Sequence, residues 1–251
     1  MKATAAAQAK LLELQTIDAE IIKLGHRRNS LPELAALASL EADRDAARGT
    51  LARDLGTFED VRVELDRLEA DSAVVDARIA RDNALIESGS SNPQALSGIQ
   101  AELESLRVRR SVLDEAQLIS MEAVEAAQGV LDASREAESV ISGQIETVEA
   151  SRDESLEVIA EAVSEQENLR GNLVVGIDEP LLALYDRVRV RGGVGAALFR
   201  LGACGACKIA STGNELEAVR NAGLDEVLQC PECSAIMVRT EESGLWGPQA
   251  S

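Results

Sequence analysis

Cys204-Gly205-Ala206-Cys207 and, after 22 intervening residues, Cys230-Pro231-Glu232-Cys233 contain every cysteine of this 251-residue chain. Four thiolates suit a tetrahedral Zn²⁺, and each Cys-x-x-Cys turn delivers two sulfurs to one ion, so the two turns together complete a shell. The spacing predicts one structural zinc held by Cys204, Cys207, Cys230 and Cys233 in a ribbon whose two hairpins face each other. A redox dithiol and a pair of disulfides are the competing readings. The first wants one low-pKa pair on a βαβ unit, and the second an oxidising compartment that nothing in the sequence signals. A shell filled by sulfur leaves no position for water, so the metal is expected to hold the fold and not to catalyse. Zinc binding of this kind contributes on the order of 10–16 kcal/mol near neutral pH. A module as short as residues 178–251, whose only aromatics are Tyr185, Phe199 and Trp246, needs such a contribution.

Upstream of the cysteines the character of the chain changes near residue 177. Residues 1–177 hold no cysteine, one aromatic (Phe58) and two prolines (Pro32 and Pro93), and are rich in Ala, Leu, Glu, Arg and Asp, the mixture of long helices. The expected fold is mainly α: a long antiparallel coiled-coil helical hairpin over 1–177, then a small α+β zinc-ribbon domain over 178–251. Apolar residues follow a heptad rhythm through Leu14, Ile17, Ile21 and Leu24, which stops near 29–32. There Ser30 reads as a cap, Pro32 as a first-turn residue and Glu33 as the partner in a capping box, so a helix break is expected, followed by a second helix. That helix keeps its rhythm from Leu37 to Ile86, with Arg44, Asp54, Ser72 and Asp82 as polar seam residues that fix register. Glu87-Ser88-Gly89-Ser90-Ser91-Asn92-Pro93 cannot continue it and reads as the hairpin tip, near 88–93. The rhythm resumes at Leu96 and runs to about Gly171. Folding at the tip pairs positions whose numbers sum to roughly 181, which puts Leu65 near Ala116 and Leu14 near Glu167 within about one turn. An arm of about eighty residues would be on the order of 120 Å long. One enormous helix in a parallel dimer is the rival reading, and the tip disfavours it.

Beyond Leu173–Ile177, read as a hinge, Asp178-Glu179-Pro180 opens a short helix. Strands are expected over 196–201 and 208–211, a helical insert capped by Asn214, and strands on either side of the second cysteine pair. The tail from Gly244, with Trp246, is expected to be loose or to dock back.

Composition and motifs exclude several activities. The formal charge of −19 falls mostly on 1–177, which argues against gripping nucleic acid along that length. Gly192-Gly193-Val194-Gly195 lacks the Lys-Ser/Thr of a phosphate loop and follows a helix, so a flexible or close-packed turn is expected. His26 is the only histidine, so no Ser-His-Asp or Cys-His set can form, and it is read as a solvated or partly packed side chain. Arg187, Arg189, Arg191, Arg200 and Lys208 form the one local excess of positive charge, a candidate nucleic-acid or partner contact. Yet residues 178–251 carry ten acidic against seven basic side chains, and these cations are also explained as neutralising the thiolate centre. There is no apolar run of about eighteen residues, and Met1-Lys2-Ala3-Thr4 leads directly into helix-forming sequence, so no membrane contact and a soluble, cytoplasmic setting are expected.

The order of these parts carries a resemblance. A long hairpin, Pro180-Leu181-Leu182-Ala183-Leu184-Tyr185-Asp186-Arg187-Val188-Arg189, a Gly-Gly-Val-Gly turn, Cys-x-x-Cys, Asn-Glu-Leu and Cys-Pro-Glu-Cys leading to Ile236-Met237-Val238 resembles the bacterial coiled-coil four-cysteine zinc-ribbon family. Asn92-Pro93-Gln94-Ala95-Leu96 looks like that family's tip. The resemblance implies Cys204, Cys207, Cys230 and Cys233 as zinc ligands. It also implies partners of the kinds linked to that family: an alternative sigma factor, flagellar or type III secretion components, or messenger RNA. The leading expectation is a non-enzymatic zinc-binding adaptor for protein partners in transcription or secretion. The alternative is an RNA- or DNA-binding regulator acting through the ribbon. A polymerase-channel factor that inserts its tip is disfavoured by the neutral residues Ser88 to Asn92.

Overall fold

The computed structural model describes residues 1–89 and 92–245. Three helices account for the first part of the chain: α1 (Ala5–Asn29), α2 (Pro32–Glu87) and α3 (Pro93–Val174). Thr4 starts α1, its hydroxyl accepting from the Ala7 amide at 3.2 Å. The break falls at Ser30 and Leu31, but Ser30 belongs to the helix that is ending: its hydroxyl donates to the His26 carbonyl at 2.9 Å, and α2 opens on Pro32, where a missing N–H is harmless. At the far end α2 stops at Glu87 and Asn92 caps α3, its side-chain oxygen accepting from the Ala95 amide at 2.8 Å. Ser90 and Ser91 of the expected tip lie outside the described residues, as does the tail from Trp246 onward.

The chain divides into two compact units, Glu33–Ala150 and Met1–Pro32 with Ser151–Ser251. In the first, α2 and α3 pack antiparallel along an apolar seam that buries Leu68, Leu103, Leu113, Leu131 and Ile145. Cross-helix contacts set the register: Arg78 with Glu102, Asp76 with Arg110, Arg48 with Glu138, and Ser134 donating to Asp54. Their numbers sum to between 180 and 188, within about one turn of the expected value, and Leu68, less than a turn from Leu65, lies beside Ala116. Ser72 and Asp82 are buried in this seam as expected.

In the second unit α1 packs against the last turns of α3 through Leu24, Leu31 and Ile159, and against the C-terminal module. The latter comprises α4 (Glu179–Gly192), β1 (Ala196–Arg200), β2 (Ala203–Cys204), α5 (Gly213–Asn221), β3 (Leu228–Gln229) and β4 (Ile236–Val238). The sheet order is β2-β1-β4-β3: two antiparallel hairpins joined by the parallel pair β1 and β4. The cap of α5 is Thr212, two residues before the expected Asn214, because Thr212 and Glu215 close a capping box in which the Glu215 carboxylate accepts from the Thr212 amide at 2.7 Å.

One hydrophobic core joins Leu11 and Leu14 of α1 to Ile177, Leu181, Tyr185, Ile236 and Val238. Ile177 is therefore a packed residue and not a free hinge. The N-terminus also adds to the sheet edge, where Lys2 bridges Glu226 and the Val227 amide donates to the Met1 carbonyl. The Gly-Gly-Val-Gly turn is exposed at Gly192 and Gly193 and close-packed only at Gly195. Gly193 ends α4 in the left-handed conformation at φ 76°, and a Cβ on Gly195 would strike the Tyr185 ring.

Candidate metal centre

The first cysteine pair sits in the turn that leaves β2, closed by the bridge between Ala203 and Ala210, and the second in the turn between β3 and β4; the two turns are built alike. In the first, the Lys208 amide donates to the Cys204 carbonyl at 2.8 Å and the Cys204 amide to the Ile209 carbonyl at 3.0 Å; in the second, Ser234 and Cys230 repeat the pattern at 2.9 Å with Ala235 at 2.9 Å. The residue after each second cysteine turns the chain with positive φ, 65° at Lys208 and 63° at Ser234.

The four Sγ atoms lie within 4.8 Å of one another. Cys204 Sγ is 3.8 Å from Cys233 Sγ, and Cys207 Sγ 3.8 Å from Cys230 Sγ. A tetrahedron with zinc–sulfur bonds of about 2.3 Å has sulfur–sulfur edges of about 3.8 Å, so the donor set fits Zn²⁺. The cysteines are free and not paired as disulfides, which removes that reading. Burial pushes the Cys204 thiol up and the Cys233 thiol up to about 12, whereas the Ile209 amide holds the Cys207 thiol below its ordinary range. A divalent cation among four sulfurs provides the opposing charge that favours their deprotonated form. Phe199, Val219 and Met237 pack around Cys204 and Cys230, so the centre is continuous with an apolar cluster. Among the described residues no other group of three or more His, Cys, Asp or Glu side chains converges in this way, and His26 is exposed.

Two arrangements were not visible in the motifs. Arg239 is buried at 6% exposure with no carboxylate against it; its guanidinium donates to the carbonyls of Val219, Ala222, Gly223 and Glu226 at 2.6 to 3.0 Å, gathering the end of α5 and the loop into β3. Asp18, at 1% exposure, accepts from Tyr185 Oη at 2.8 Å and from Arg170 at 2.9 Å, with Arg189 at 3.3 Å. Burial and the Asp18 hydrogen bond raise the Tyr185 phenol above its usual range. Gln15 extends this network to the Gly195 amide at 2.7 Å.

These contacts divide the group of candidate cations. Alternate positions along a helix do not share a face: Arg187 and Arg191 are exposed on one side of α4, while Arg189 turns inward to Asp18 and Asp186. Arg200 and Lys208 are exposed on the ribbon.

Fold and site together define a class: coiled-coil hairpins that carry a four-thiolate zinc ribbon. The family model of the CT398-like coiled coil hairpin domain matches residues 14–193, that of the C4-type zinc ribbon domain residues 203–237, and the chain belongs to the CT398-like coiled-coil hairpin family. The Mycobacterium tuberculosis proteins MT2288 and Rv2229c, both described as uncharacterized, are each 35% identical over 241 residues, covering 96% of this chain and 98% of theirs. A Mycobacterium smegmatis structure superposes with TM-score 0.86 at 31% identity, over 95% of this chain and 100% of that one. CT398 from Chlamydia trachomatis shares the fold, with TM-score 0.65 at 18% identity over 94% of this chain and 98% of its own. The cofactor is a structural Zn²⁺. Among the described residues no helix is long and apolar enough to cross a membrane.

Proposed function

We propose that this protein is a non-enzymatic adaptor that docks protein partners, in transcription or secretion, in the reducing cytoplasm. Cys204, Cys207, Cys230 and Cys233 are its zinc ligands, and the hairpin (1–177) and ribbon (178–251) are its two functional parts. The observation that carries this reading is the convergence of all four cysteines on one centre: four sulfurs fill the coordination shell and leave the metal no open position for a substrate. The acidic helix faces favour partners with basic surfaces. The test is capture on the immobilised, zinc-loaded full chain. A partner protein retained at a fixed ratio supports the adaptor, and retention of no protein overturns it.

A second reading, nucleic-acid binding, is favoured by the exposure of Arg187, Arg191, Arg200 and Lys208, which have no carboxylate partner among the described residues. It requires salt-dependent RNA or DNA binding that falls at least tenfold in Arg187→Ala/Arg191→Ala/Arg200→Ala. No binding at low salt removes it.

A further inference from the structure

Within the unit Glu33–Ala150, α2 and α3 leave a groove of about 530 Å³ between them, lined by Phe58 and Leu65 of α2 and by Leu118, Met121 and Val124 of α3. Phe58 is the one aromatic residue of the first 177, and Leu118 and Met121 are 63% and 53% exposed. Water therefore reaches a contiguous apolar strip that the hairpin does not close over.

The charges on its rim divide by helix. Arg62 stands on the α2 wall, Glu122 and Glu125 on the α3 wall, and the hairpin register sets Arg62 level with the two glutamates. All three are exposed, and none has an ion-pair partner among the described residues. The neighbouring Arg67 is already committed to Glu64 and Asp71. A groove with a cation on one wall and anions on the other is complementary to a copy of itself turned over. With a twofold axis running along the groove, α2 of each copy lies over α3 of the other. Arg62 then meets Glu122 and Glu125 across the interface, twice over, and Leu65 comes to lie over Met121. An axis running across the groove would instead lay α2 on α2 and set Arg62 against its own counterpart, which like charges oppose. The rim thus selects one of the two ways of closing the groove on itself. On the same helix faces Glu69 follows Leu65 and Glu115 precedes Leu118. These acids would also meet across the axis, so they end the favourable patch, and a contact this short is expected to associate weakly.

We propose that this groove is the interface of a homodimer in which two hairpins lie alongside one another in the same direction, with Arg62 of each copy paired to Glu122 and Glu125 of the other. The inference goes beyond the adaptor reading and does not depend on it.

The test is sedimentation of the zinc-loaded full chain under reducing conditions, over a concentration series up to about 100 µM. A monomer–dimer equilibrium is expected. Arg62→Glu should weaken it at least tenfold, and so should Glu122→Arg/Glu125→Arg, because each sets like charges against one another. All three changes in one chain reverse the pair and should restore dimerisation to near the wild-type level. Leu118→Glu/Met121→Glu should dissolve the dimer from the apolar side. Every altered side chain is exposed, so helical circular dichroism should be unchanged throughout. A chain that is monomeric at every concentration overturns the inference. So does a dimer indifferent to Arg62→Glu, or a combined variant that associates no better than its parents. A chain that stays monomeric while Leu118→Glu/Met121→Glu abolishes capture of another protein would give the groove to that protein, overturning the dimer and leaving the adaptor standing.

Discussion

Lys208 and Ser234 stand where a zinc knuckle most wants glycine, since each takes a positive φ that an L-residue adopts at about 1–2 kcal/mol. The exposed Ser234 gives the cleaner test. Ser234→Gly should raise stability in denaturant titration of the zinc-loaded protein by about 0.5–1 kcal/mol, whereas a loss would mean that the serine side chain supports the turn. Arg239 makes the opposite case. Arg239→Met keeps the volume but leaves one buried and three part-buried carbonyls without their donor, so a loss of about 2 kcal/mol is expected, and Arg239→Lys should recover only part of it because an ammonium cannot span the same fork. Neither feature was legible in the sequence. The sequence predicts a strand over 208–211 that starts at Lys208; the structure instead turns the chain there with positive φ and leaves only the bridge between Ala203 and Ala210. A lone arginine in a strand-forming stretch gives no sign that it will face backbone oxygens brought together by a loop more than ten residues away.

At the level of elements, whatever depends on local period was legible: the α1/α2 break, the antiparallel partnership of α2 and α3, and the two cysteine turns. The register falls within about one turn of the value expected from folding at the tip. What could not be read was the docking of α1 onto the ribbon. Leu11 and Leu14 obey the same rhythm as every other hairpin leucine, and only the fold shows that their neighbours are Tyr185 and Ile236. Asp18 fastens this junction, drawing Tyr185, Arg170 and Arg189 together. Asp18→Asn should destabilise the protein by about 2–3 kcal/mol, since it leaves Arg170 and Arg189 to share Asp186 alone. Asp18→Asn with Arg170→Met should recover part of the loss. If the double variant were worse by the sum of two independent effects, the network would not act as a unit.

For the molecule as a whole, the zinc and the long helices stabilise different contacts. Removing zinc with a chelator under reducing conditions should abolish amide-exchange protection across residues 195–238 and leave protection in residues 33–150 largely unchanged, because the latter unit has its own buried seam. Loss of protection throughout would mean that the centre supports both units. Because binding displaces protons from the thiols, zinc occupancy should also fall as pH is lowered. The account stands most directly on the composition of the metal shell, which X-ray absorption at the zinc edge reports for the full chain purified reduced. Four sulfur scatterers at about 2.3 Å with one zinc per chain is the predicted result; a shell containing nitrogen or oxygen, or a protein that retains no zinc, would contradict it.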